Sequence, residues 1–154
     1  MKKLEKQKLV EQLRAAMSET LADQPVVVAY LYGSQASGLA TPSSDVDIAL
    51  LSEGKASIEE EIRIERKVQE EIYRRCGLEN VDVRFLNNRS LLFQGRALSN
   101  QVVLYCRNEQ ARVVYETRVR DLYFDFLPVA ERHRKVFFER LRKEGLAYGR
   151  QGRS

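Results

Sequence analysis

The sequence patterns as a small mixed α/β domain with a helical C-terminal part. Short β-branched and aromatic runs of strand length alternate with stretches of helical spacing, in the order helix, strand, strand, helix, strand, then helices. A chain of 154 residues, 44% hydrophobic and 31% charged, has the size and balance of one globular domain. At that size about 68–70% of the unfolded surface is buried on folding, enough for a core without disulfide staples.

Leu9, Leu13, Ala16, Met17, Thr20 and Leu21 recur at helical spacing and make the N-terminal segment an amphipathic helix. Pro25 ends the linker after it, and Val26 to Tyr32 (VVVAYLY) is long enough for one buried strand. The loop GSQASGLATPSS follows, and Asp45 to Leu51 (DVDIALL) forms a second strand beside the first. Ser57 to Arg75 is a helix: Ser57 and Glu60 have capping-box spacing and Gly77 is placed to stop it. Ile58, Ile62, Glu65 and Ile72 mark one face of it, interrupted by a charge. Val81 to Leu86 is a third strand, Arg89 to Leu98 a short helix and Val102 to Cys106 a short strand. Asn108 to Lys143 is helical again, with Val113, Val119, Leu122, Phe126 and Leu127 near one face. Pro128 is expected to kink or split it. Glycines beyond Gly145 favour fraying, so the chain divides into a core over 1–106, a helical segment over 107–144 packed on it, and a tail over 145–154.

No run approaches the roughly 18 apolar residues of a membrane span, and the start, MKKLEKQKLVEQ, lacks a signal-type apolar stretch; a soluble, cytoplasmic protein is expected. Cys76 and Cys106 lie far apart and His133 is the one histidine, which excludes a Cys/His zinc site and a disulfide framework. Catalysis, if present, runs on carboxylates. The net charge of +4 is concentrated between Glu131 and Ser154. Such a stretch suits nucleic acid, an acidic partner surface or simple solvation.

Asp45 and Asp47 sit two apart in the second predicted strand, which puts both carboxylates on one face and Val46 and Ile48 on the other. Like charges that close are costly without a compensating cation, and hard divalent ions such as Mg²⁺ take this oxygen ligation. Asp82 repeats the placement in the third strand between Val81 and Val83. Three converging carboxylates are what two-metal phosphoryl transfer requires. Gly33 permits close backbone approach directly after the first strand, and Ser34 can begin a turn of helix whose N–H groups and hydroxyl hold a phosphate. Taken alone, the pair reads as an ordinary turn, and only its fixed spacing to the Asp pair makes it a different signal.

Gly33-Ser34, ten residues, then Asp45-x-Asp47 resembles the GS-x10-D-x-D signature of the polymerase-β-like nucleotidyltransferases, over roughly Val26 to Leu86. YGSQASGLATPSSDVDIALL is similar to their minimal (MNT-domain) subfamily, the MntA-type antitoxins of HEPN/MNT toxin–antitoxin pairs. The resemblance implies the polymerase-β-like fold, with a small mixed sheet flanked by helices. It implies Mg²⁺-dependent transfer of AMP from ATP, with two metal ions, onto a tyrosine hydroxyl of a HEPN-domain ribonuclease toxin in a hetero-oligomeric complex. Nucleic acid and membrane are not required. Asp45, Asp47 and Asp82 would be the catalytic and metal-binding residues, with Asp82 on the base side, and Gly33 and Ser34 would meet the nucleotide. Relatives commonly carry basic residues where this chain has Gln35 and Ser37. Triphosphate charge would then fall to metal, backbone N–H groups and hydroxyls such as Ser43 and Ser44; alternation places Arg84 on the Asp82 side, but it would substitute only if the strand twists.

Core packing is expected to take at least half of Tyr115, Tyr123, Phe124, Phe126, Phe137 and Phe138, but YFDF holds too many aromatics for a single helix face to bury them all. The surplus beside basic residues suits a protein interface or single-stranded RNA, and the resemblance favours the protein. Two alternatives stand beside the enzyme: an antitoxin of the same fold that neutralises by binding alone, and a small-molecule nucleotidyltransferase of the aminoglycoside type or a nucleic-acid end modifier.

Overall fold

The computed structural model describes residues 2–38 and 45–151. The elements run α1 (Lys2–Thr20), β1 (Val26–Tyr32), α2 (Ser34–Ser37), β2 (Val46–Ser52), α3 (Ile58–Cys76), β3 (Val81–Phe85), α4 (Leu91–Ser99), β4 (Val102–Cys106) and α5 (Glu109–Gln151). The strands form one mixed sheet in the order β3-β2-β1-β4. β1 is antiparallel to both β2 and β4, while β2 and β3 are parallel. The parallel pair is joined by α3, the crossover that such a pair requires.

Both faces of the sheet are covered, which is why β1 and β2 read as continuous apolar runs rather than alternating ones. On one face Leu31, Ile48, Leu50 and Phe85 pack against Leu13 and Met17 of α1 and Ile64, Val68 and Ile72 of α3. On the other, Val28, Tyr30, Ala49 and Leu51 pack against Ala97 and Leu98 of α4 and Tyr115 and Val119 of α5. A buried polar link ties α5 to the second face. The Tyr30 hydroxyl donates to Glu116 Oε1 at 2.9 Å, and Arg112 Nη1 donates to the same oxygen at 3.0 Å.

Helix α3 keeps its predicted caps. Ser57 Oγ accepts from the Glu60 N–H at 3.1 Å, and Gly77 closes the end at φ 68°, a left-handed conformation that costs glycine little. Its buried stripe is Ile64, Val68 and Ile72, so the expected face through Ile58 and Ile62 is corrected: both are exposed. The segment carries apolar residues at two sets of helical spacings, and only the set that meets the sheet is buried.

Pro128 does not split the C-terminal helix; α5 runs through it and on to Gln151, into the segment from 145 expected to fray. The proline leaves the Phe124 carbonyl without its helical N–H partner, but that stretch is exposed and water can satisfy it. From Glu131 to Glu144 every side chain of α5 is exposed, so this part of the helix stands clear of the domain. Among the described residues no helix is long and apolar enough to cross a membrane.

Candidate active site

β2 lies between β1 and β3, so every β2 side chain on the α4–α5 face has a neighbour on each side. For Asp47 those neighbours are Tyr32 across the antiparallel pairing and Asp82 across the parallel one. Tyr32, Asp47 and Asp82 therefore form a row across the sheet, at the start of β2 and β3. Asp45 lies one residue before β2, not within it as predicted, and is exposed. Its charge still acts on Asp47.

The row is electrostatically loaded. Burial raises the Asp47 carboxyl above its ordinary range, and the like charges of Asp82 and Asp45 raise it further against a smaller opposing effect of Arg84. Tyr32 is pushed up to about 12, first by burial and then by Asp47 and Asp82, so its hydroxyl stays protonated at neutral pH. Its ring meets Phe93 edge-on at 6.0 Å, and the Arg89 guanidinium lies over the far partner of that pair, 5.8 Å from the Phe93 centroid.

Gly33 has φ 73° and ψ −153°, a region open essentially to glycine alone. A Cβ built there would lie 2.5 Å from Asp47 Oδ2. The glycine is thus required twice, once by its backbone and once by the carboxylate resting on its α carbon. This contact is the spatial meaning of the Gly-Ser to Asp-x-Asp spacing. Ser34 opens the four-residue α2, which is closed by Gly38 at φ 81°. Lys6 reaches over from α1 and donates from Nζ to the Ala36 carbonyl at 2.6 Å, fastening that turn. Ser43 and Ser44 lie outside the described residues.

The structure thus brings Gly33, Asp47 and Asp82 together, with Ser34 next to Gly33. Sequence reasoning missed Tyr32 and Lys6 as parts of the site and set Arg84 aside. Arg84 Nε donates to both Asp82 oxygens, at 3.1 and 3.3 Å, from two residues along the same strand face. For Tyr32 the signal was available, since alternation in β1 paired with β2 places it beside Asp47; for Lys6 nothing local marks it.

The donor set fits a hard divalent cation in kind: all carboxylate oxygens, with Asp47 desolvated among like charges that a cation would relieve. In arrangement, no group of three or more His, Cys, Asp or Glu among the described residues is gathered to hold a metal, and Asp82 is engaged by Arg84. Asp45 and Asp47 are the residues that would hold one first, and Asp82 only once it leaves Arg84.

The family model described as polymerase beta, nucleotidyltransferase matches residues 15–110, more than half of the chain. No curated protein sequence matches the chain. Among solved structures, a toxin–antitoxin MntA–HpeT mutant is similar with a TM-score of 0.63 at 18% identity, covering 80% of this chain and 94% of that one. A toxin–antitoxin with AMP-PNP gives 0.62 at 19% identity, covering 80% and 94%. A complex of a tri-AMPylated Shewanella oneidensis HEPN toxin with an MNT antitoxin gives 0.53 at 18% identity, covering 88% and 96%. At these identities the likeness is one of fold.

Proposed function

Since the chain belongs to the polymerase β nucleotidyltransferase family, we propose that it transfers AMP from ATP to a tyrosine hydroxyl of a partner HEPN-domain toxin, acting in the cytoplasm as that toxin's antitoxin. The observation that carries the reading is the Asp47 carboxylate packed on Gly33 and in register with Asp82, at the junction where the Gly-Ser turn meets the sheet. The similar structures support the rest, since they include a toxin–antitoxin with AMP-PNP and an AMPylated HEPN toxin.

In the transfer, the acceptor oxygen bonds to the α-phosphorus, the bond from that phosphorus to the bridging oxygen of the β-phosphate breaks, and pyrophosphate leaves. Mg²⁺, when bound, supplies charge to the triphosphate and acidifies the acceptor hydroxyl. The chain's own residues do the positioning. Gly33 lets the backbone of the turn come against Asp47, and Lys6 holds that turn from behind through Ala36. Asp82 stands on the side where the acceptor proton is taken up. Tyr32, protonated beside two carboxylates, is a donor in the wall of the site and not its base. The partner surface is the exposed part of α5, where Phe124, Phe137 and Phe138 stand among basic side chains.

Two observations favour a second reading, an antitoxin that neutralises by binding alone: Asp82 is paired with Arg84, and the turn has Gln35 and Ser37 where cations are expected. A single experiment separates the two. ATP labelled on the α-phosphate is incubated with Mg²⁺, the protein and the product of its neighbouring reading frame, beside an Asp47→Asn control. Label on the partner that vanishes in the control supports transfer. An unlabelled partner whose activity is nevertheless blocked leaves neutralisation by binding.

A further inference from the structure

The turn after β1 carries Gln35 and Ser37 at the positions where the resemblance leads one to expect cations for a triphosphate. Arg84 supplies one from the other side. It occupies the same face of the edge strand β3 as Asp82, two residues further on, and stands in register with Ala49 of β2. Ala49 carries only a methyl group, so the row continues past Asp47 without a bulky side chain between Arg84 and the site. The guanidinium is turned back onto Asp82 through Nε, and the two side chains are 46% and 40% exposed. A pair that open to solvent is weakly held, so exchange of partners costs little.

We propose that Arg84 is a switch on the third carboxylate: it occupies Asp82 in the nucleotide-free protein and moves to the phosphates of an incoming nucleotide, which frees Asp82 to complete the cation site. This rests on the nucleotidyl-transfer reading and assigns a cationic triphosphate contact in place of the one that Gln35 and Ser37 do not carry. The effect of Arg84 on both Asp47 and Tyr32 agrees with a charge that already reaches the row. The arrangement makes metal and nucleotide interdependent. A cation arriving alone competes with Arg84 for Asp82, whereas a nucleotide arriving with it removes the competitor. Arg84 therefore opposes metal binding in one case and supports ligand binding in the other.

The two effects have opposite signs, which a merely structural role would not produce. Mn²⁺ binding, followed by electron paramagnetic resonance, and AMP-PNP binding in excess Mg²⁺, followed by calorimetry, are measured on wild type, Arg84→Met and Arg84→Lys. Arg84→Met is expected to bind Mn²⁺ alone about 2- to 5-fold more tightly, the range an exposed ion pair spans. It should bind AMP-PNP about 10-fold more weakly, having lost a charge-assisted contact to phosphate. Arg84→Lys should recover part of the nucleotide affinity as a point charge. Mn²⁺ affinity that is unchanged or weakened in Arg84→Met, or AMP-PNP affinity that is unchanged, overturns the switch while leaving the nucleotidyl-transfer reading standing. Wild-type protein that does not bind AMP-PNP with Mg²⁺ overturns both.

Discussion

Replacing Gly33 with alanine perturbs the site through two separable effects. The first is conformational: at φ 73° and ψ −153° a residue with a side chain is strained by about 1–3 kcal/mol. For a domain of this size that lowers the thermal midpoint by roughly 3–10 °C. The second is a collision. The new methyl would start 2.5 Å from Asp47 Oδ2, and since real Cβ atoms essentially never come within 3.0 Å of a heavy atom, the carboxylate has to withdraw by about half an ångström. Misplacing a catalytic group by 1 Å can cost about 100-fold in rate, so a shift of half that should cost about 10-fold. Gly77→Ala is the matched control, because Gly77 has φ 68° but a Cβ there would meet nothing within 4 Å. Both variants should lose stability in thermal unfolding, and only Gly33→Ala should lose label transfer from α-labelled ATP. Equal transfer by the two variants at a temperature where both are folded would refute the claim that Gly33 is there to seat Asp47.

Asp47→Asn should stabilise the metal-free protein even as it abolishes transfer. Because the folded-state pKa of Asp47 is raised, its favourable contribution is full below the ordinary carboxylate range and is lost as pH rises through the raised value. The thermal midpoint of Asp47→Asn should therefore exceed that of wild type near pH 8, with the gap closing toward about pH 4 and shrinking when Mg²⁺ is added; a lower midpoint for the variant at both pH values would contradict this. Gly95→Val should loosen the seat of α5, because a Cβ at Gly95 would collide with one edge of the Tyr123 ring, where α4 and α5 pack. Overpacking of this kind costs about 1–3 kcal/mol, and a Tyr123→Ala change in the same chain should return part of it if the ring is the obstacle.

Local chemistry wrote much of this protein legibly. VVVAYLY and VVLYC are strands over the predicted residues, Val26–Tyr32 and Val102–Cys106, because β-branched and aromatic runs bounded by turn residues have few other homes. Ser57 and Gly77 delimit α3 because a cap side chain and a left-handed end are properties of a few adjacent residues. Gly33 and Asp47 were visible by type and spacing. What the sequence could not carry is adjacency. Alternation says which side of its own strand Asp82 takes, but the row Tyr32–Asp47–Asp82 exists only because the strands order as β3-β2-β1-β4, with β2 in between. The exposure of Ile58 and Ile62, the pairing of Arg84 with Asp82 and the reach of Lys6 to Ala36 were likewise settled by packing between segments distant in the chain or by a choice among nearby rotamers. Periodicity is a property of one segment, and a site built from four of them depends on which surfaces the whole chain can bury at once.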